Sequence, residues 1–94
     1  MTEATIEKAC WNYALVKGIF TRKLAYGVVG DPDRVFFLPD GRCWLVEFKS
    51  PTGRLTPRQH LVHEAMAQAG HPVTVIRSLD EFKTALDIKL QATA

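Results

Sequence analysis

Asp33, Glu47 and Lys49 can be brought onto one face by a single hairpin. The chain reads Pro32-Asp33-Arg34-Val35-Phe36-Phe37-Leu38, then Pro39-Asp40-Gly41, then Arg42-Cys43-Trp44-Leu45-Val46-Glu47-Phe48-Lys49. Runs rich in β-branched and aromatic residues flank a tripeptide in which Pro39 and Asp40 suit the centre of a type I turn. Gly41 suits the left-handed position that follows. With Leu38 and Arg42 closing the loop, counting outward pairs Phe36 with Trp44, Arg34 with Val46 and Asp33 with Glu47. Alternation along the strand then sets Lys49 on the same face. Two carboxylates directly opposite each other repel and weaken a sheet unless a cation lies between them, and oxygen ligands of this kind suit a hard divalent ion. Glu47 also falls within the apolar run Trp44 to Phe48, where a carboxylate must be paired, protonated or metal-bound. An ammonium beside such an ion can orient water or stabilise developing negative charge.

The elements that must position these groups follow from periodicity and caps. Thr2 or Thr5 caps a first helix whose apolar positions are Ile6, Ala9, Cys10, Tyr13 and Val16, with Gly18 as its stop. Ile19 to Tyr26 reads as a strand, Val35 to Leu38 as a second and Cys43 to Phe48 as a third. Both faces of the hairpin are apolar away from the three polar residues, which predicts central strands covered on both sides. A loop from Ser50 to Leu55 carries Pro51 and Gly53. Thr56-Pro57-Arg58-Gln59 then opens a helix with an N-cap, a Pro at the first helical position and a Gln at the capping-box position. Its expected buried stripe is Leu61, Val62, Ala65, Met66 and Ala69, and Gly70 ends it. Pro72 to Ile76 is a short buried strand, and Ser78-Leu79-Asp80-Glu81 is a second capping box that starts a helix running to about Lys89.

Pro32-Asp33 followed by Glu47-Phe48-Lys49 resembles the split motif of the PD-(D/E)XK nuclease superfamily. The accompanying residues narrow the resemblance: Glu7 in the opening helix, Gly30 before the Pro-Asp pair, Arg34 after it, Gly53 beyond the lysine and Gln59 early in the next helix. Together they are similar to the VRR-NUC branch in its small stand-alone, phage-type form, from about Glu7 to Ile76. The resemblance implies an α/β fold with a restriction-endonuclease-like αβββαβ core, in which a mixed central sheet is flanked by helices. It implies Asp33 and Glu47 as metal ligands with a backbone carbonyl at Phe48, Lys49 as the catalytic lysine, and Gln59 and Glu7 as accessory polar residues. The cofactor would be Mg²⁺ or Mn²⁺ and the reaction hydrolysis of DNA phosphodiesters. Arg34, Arg54 and Arg58 would contact the substrate phosphates. Homodimers and branched DNA such as a four-way Holliday junction are expected on the same ground.

Plainer roles exist for each of these residues. Asp after Pro is common in turns, Lys49 could pair with Glu47, Gln59 could serve only its capping box, and Glu7 is favoured near a helix N-terminus by the dipole. Arg54 and Arg58 could be a solvated basic patch. The rival function is a catalytically silent DNA-binding or assembly module, which would have an eroded motif, whereas all three residues stand here. An RNA-binding sheet would need stacking aromatics on an open face.

Composition sets the outer bounds. The 94 residues admit one two-layer domain over 1–94, and the 47% apolar and 23% charged fractions are those of an ordinary globular chain. A net charge of +2 says little about partners, although Arg22, Lys23, Arg34, Arg42, Lys49, Arg54 and Arg58 crowd the middle. No apolar run approaches a membrane span or a signal core, so a cytoplasmic protein is expected. Cys10 and Cys43 read as two buried free thiols. His60 and His63 lack a third ligand at zinc spacing and read as solvated helix histidines.

Overall fold

The computed structural model describes residues 1–24 and 28–91. Among them the order is α1 (Glu3–Val16), β1 (Phe20–Lys23), β2 (Arg34–Phe37), β3 (Cys43–Phe48), α2 (Pro57–Gln68), β4 (Val73–Ile76) and α3 (Leu79–Gln91). The sheet runs β1-β2-β3-β4, antiparallel across the first two pairings and parallel between β3 and β4. This is the expected α/β order with a mixed sheet. Tyr26, the expected end of the first strand, lies outside the described residues. No helix among the described residues is long and apolar enough to cross a membrane.

The hairpin closes as its turn residues require. Leu38 N–H donates to the Arg42 carbonyl (2.9 Å) and Gly41 N–H to the Leu38 carbonyl (3.1 Å), with Gly41 at φ +88°. Phe36 pairs with Trp44 and Arg34 with Val46. On the face that these residues share, Phe36, Trp44, Val46 and Phe48 pack against Ile6, Cys10 and Ala14 of α1 and Phe82 and Leu86 of α3. Phe82 is the hub: its ring lies 5.1 Å from Phe36, stacks on Trp44 at 5.3 Å and lies 6.5 Å from Phe48, centroid to centroid. The indole N–H of Trp44 is satisfied by Thr74 Oγ1 at 2.8 Å. Burial first, and then the charge of Glu7, push the Cys10 thiol up to about 12, which leaves it inert packing.

The opposite face is less covered than expected. α2 contains no buried residue: Val62 and Met66 are half-buried, but Leu61, Ala65 and Ala69 are exposed, so the predicted buried stripe is not one. Phe20 and Phe37 lie ring to ring (5.7 Å) with about half their surface in water, and Cys43, which pairs with Phe37, is exposed rather than buried. The reason is width. Four strands spaced ~4.8 Å apart span roughly 14 Å, whereas a helix with its side chains is about 10 Å across, and α2 meets the sheet at β4. In α1, Val16 also falls outside the core, because burial follows the Ile6, Cys10, Ala14 stripe four residues apart.

Gly30 fixes how α2 approaches. It adopts φ +97°, and a Cβ there would meet Val62 Cγ2 at 2.8 Å, Arg58 Cγ at 2.9 Å and the Arg58 carbonyl at 3.0 Å. Denaturant unfolding should therefore rank three variants. Phe82→Ala should cost about 3–5 kcal/mol for the lost aromatic hub. Gly41→Ala, where nothing lies within 4 Å, should cost only about 1–2 kcal/mol of left-handed strain. Gly30→Ala should exceed Gly41→Ala, because the same strain is joined by a clash with α2.

Candidate active site

The sheet ladder breaks at Asp33. Its N–H donates to the carbonyl of Val46 (3.1 Å), the partner of Arg34, which makes a bulge, while its own carbonyl accepts from Leu24 N–H (2.9 Å). Asp33 and Glu47 are thus neighbours across the end of the ladder but not the paired residues that counting gives. The step frees the Asp33 side chain to cross β3, where Oδ2 accepts the Phe48 N–H at 2.7 Å. Glu47 is 2% exposed and Lys49 8% exposed. The Lys49 amide continues the parallel ladder to the Ile76 carbonyl (3.0 Å), and its Nζ lies 3.9 Å from Glu47 Oε2.

Gln59 holds both roles that its position allowed. Thr56 Oγ1 accepts the Gln59 N–H (3.1 Å) and Gln59 Oε1 accepts the Thr56 N–H (2.9 Å), which completes the capping box at the start of α2. The amide nitrogen left over donates to Glu47 Oε2 at 3.2 Å. One side chain therefore caps the helix and ties it to the buried carboxylate. One turn later, His63 brings Nε2 to 3.9 Å from Glu47 Oε1. His63 is not the solvated histidine expected from its spacing, since its side chain is 11% exposed. Its i+4 spacing from Gln59 was the available signal.

The other expected residues are placed as follows. Glu7 reaches the end of the sheet from α1, where its carboxylate accepts from Lys23 Nζ (2.8 Å) and Arg34 Nε (2.7 Å). Arg34 is therefore engaged internally, beneath the Trp11 ring at 5.4 Å. Arg54 and Arg58 are exposed, Arg58 with Nε 3.4 Å from the Val29 carbonyl. Arg77, which the sequence reading did not single out, donates through Nη1 to the carbonyls of Ser50 (2.8 Å) and Gly53 (2.5 Å) and so pins the loop behind Lys49. Glu81 supports it by accepting the Arg77 N–H (3.1 Å), while Ser78 Oγ caps α3 through the Glu81 N–H. The second capping box is thus only half formed.

Electrostatics set the two carboxyls apart from ordinary surface acids. Burial, followed by the charge of Asp33, raises Glu47 to about 8 against the pull of Lys49. Burial also raises Asp33, opposed by the Phe48 N–H and reinforced by Glu7. His63 is pushed down, first by burial and then by His60, which leaves the imidazole neutral. Glu47 Oε1 and His63 Nε2 are both buried without a hydrogen bond. A carboxylate oxygen so placed is available to a hard cation. Among the described residues no three His, Cys, Asp or Glu side chains converge to hold an ion alone. A cation here would draw on backbone carbonyl and water as well, which suits Mg²⁺ in particular, an ion commonly bound through one or two carboxylates while it keeps several waters.

The Glu47 shift has a pH signature. Below its ordinary value of 4.5 the group is neutral in both folded and unfolded chains. Above it the unfolded chain ionises first, so metal-free stability is lost as pH rises from about 4.5 to about 8. Thermal melts in chelator should show native protein losing several degrees relative to Glu47→Gln across this window. Parallel curves for the two proteins would mean that Glu47 ionises freely in the fold.

Comparison with known proteins agrees with this geometry. No family model matches the chain. "Putative nuclease p44" of Acyrthosiphon pisum secondary endosymbiont phage 1 is 37% identical over 65 residues, covering 69% of this chain and 70% of that protein. A solved structure described as "VRR_NUC domain" superposes with a TM-score of 0.81 at 30% identity, covering 93% of this chain and 97% of its own. A second, "VRR_NUC domain protein", shares the fold with a TM-score of 0.73 at 22% identity, covering 96% and 90%. The chain belongs to the VRR_NUC nuclease family.

Proposed function

We propose that this nuclease is a divalent-cation-dependent DNA endonuclease that works as a cytoplasmic homodimer and prefers branched DNA. The observation that carries the reading is the convergence of Asp33, Glu47, Lys49 and Gln59 at one buried corner of the sheet, with a Glu47 oxygen left unpartnered. Asp33 and Glu47 would hold Mg²⁺ or Mn²⁺ together with the Phe48 carbonyl. A strand residue directs its N–H and C=O to the same edge, and Phe48 N–H already faces Asp33. The cation supplies Lewis acidity toward water and neutralises charge on the scissile phosphate. Lys49, anchored by its backbone in the ladder, orients the attacking water or stabilises the negative charge that develops on phosphate. Gln59 keeps Glu47 turned toward Asp33. Glu7 acts at one remove, through its charge on Asp33 and its grip on Arg34.

Substrate approach is assigned to the loop Ser50 to Leu55 and the start of α2. Arg54 and Arg58 are exposed there beside a helix N-terminus, whose free N–H groups favour phosphate. Arg34 has less freedom for this role, since Glu7 holds it. Dimerisation draws on the apolar surface that α2 leaves open: Leu61 (62% exposed), Ala65 and Ala69, continued by exposed Val28 and Val29. Trp11 and Tyr13 are not part of that surface, since they pack against the core. A two-fold axis near α2 would place two sites symmetrically, as a four-way junction requires.

Asp33→Asn and Glu47→Gln should remove Mg²⁺- or Mn²⁺-dependent cleavage, and Lys49→Ala should lower kcat by about 10²–10³-fold, all with native circular dichroism. Saturating Mn²⁺ should raise the native Tm and leave the Asp33→Asn, Glu47→Gln double variant unmoved. Native activity in folded Glu47→Gln would refute the assignment. Arg54→Ala and Arg58→Ala should weaken DNA binding and each flatten the salt dependence by about one unit of log–log slope. Light scattering tests the dimer, with Leu61→Glu expected to give monomers. Equal cleavage of linear duplex and four-way junction in competition would remove the branched-DNA preference.

A further inference from the structure

We propose that His63 is a positioning residue for Glu47: its Nε2–H holds Glu47 Oε1, so that one face of α2 grips both oxygens of the carboxylate. The consequence for metal binding rests on the metal-dependent reading above, whereas the pairing itself does not. Gln59 and His63 are four residues apart on α2, hence on one face. Gln59 Nε2 holds Oε2 at 3.2 Å, and His63 Nε2 stands 3.9 Å from Oε1. Both Oε1 and His63 Nε2 are buried and have no other hydrogen-bond partner. Their side chains are 3% and 11% exposed, so water does little to satisfy them.

Two polar atoms left facing each other in this way must resolve into one contact or share a third group. A neutral imidazole carries one N–H and one lone pair. A lone pair turned toward an ionised carboxylate oxygen would repel it, so with Glu47 ionised the tautomer that suits this surrounding places the proton on Nε2. The 3.9 Å gap exceeds hydrogen-bond length by less than 1 Å, a distance that a side-chain rotation closes. The groups facing the imidazole are Glu47 and Asp33 from the sheet end, Lys49 from the end of β3 and His60 from its own helix. Glu47 is the acceptor among them within reach. Direct ligation by His63 is the less favoured use, since the described residues contain no three-residue metal cluster. Hydrogen bonds made to a metal-ligating carboxylate by residues behind it orient it, and their loss typically weakens metal affinity about 10–100-fold.

Imidazole ¹⁵N NMR on the metal-free native protein, at a pH high enough to ionise Glu47, tests the pairing directly. The expected spectrum has His63 as the Nε2–H tautomer, with a shift that changes in Glu47→Gln. The Nδ1–H tautomer, or a His63 signal indifferent to Glu47→Gln, overturns the proposal. Calorimetric titration with Mn²⁺ in the absence of DNA tests the consequence. His63→Ala should raise the Kd by about 10–100-fold, and His63→Gln, whose amide N–H can take the place of Nε2–H, should recover most of the loss. Native affinity in His63→Ala, or a His63→Gln as weak as His63→Ala, overturns it as well. If the native protein binds no Mn²⁺, the metal-dependent reading fails by itself, and the tautomer still decides whether His63 holds Glu47.

Discussion

A carboxylate buried at the end of a sheet is the constraint around which this small fold is arranged. Glu47 lies almost wholly out of water, and an ionised group in that position costs several kcal/mol unless its surroundings replace the lost hydration. The replacement comes from two directions. Lys49 offers charge from the end of the same strand and Gln59 donates from α2, whereas Asp33, across the broken ladder, adds a like charge that opposes ionisation. Burial first, and then the charge of Asp33, is why Glu47 is raised so far.

That constraint also explains the position of α2. A helix that served only the core would bury its apolar stripe, and α2 buries no residue. It stands where the Gln59 amide can cap Thr56 and reach Glu47 at once, and Gly30 is bare enough for it to come that near. Stability is instead concentrated on the other face, where α1 and α3 enclose Phe36, Trp44, Val46, Phe48 and Phe82. The division is physical: a tightly packed aromatic layer supports a polar layer whose members are held by hydrogen bonds and charge. Arg77 joins the two, with its backbone at the start of α3 and its guanidinium on the loop that carries exposed Arg54.

Local chemistry explains what could be read early. The Pro39-Asp40-Gly41 turn determines hairpin register because a loop of that length closes in few ways, so Phe36–Trp44 and Arg34–Val46 followed by counting. Caps did the same for helix starts at Thr2 and Thr56. Counting failed one residue further on, at Asp33, because pairing there is decided by competition for the Val46 carbonyl and by β1, which lies far off in sequence. Coverage was misjudged for a related cause. Apolar alternation in β2 and β3 indicates a face that can be buried, but whether one helix spans it depends on where α2 docks.

The element order, the hairpin, the caps and the nearness of Asp33, Glu47 and Lys49 were legible along the chain, since turns and caps depend on neighbours within a few positions. Tertiary structure alone decided that Gln59 serves cap and carboxylate together, that Glu7 is bound by Lys23 and Arg34, that Arg77 pins the loop, and that His63 enters the site. Such partnerships join residues between 12 and 27 positions apart. They arise from helices docking on a sheet, and periodicity along one segment carries no record of what another segment will bring to it.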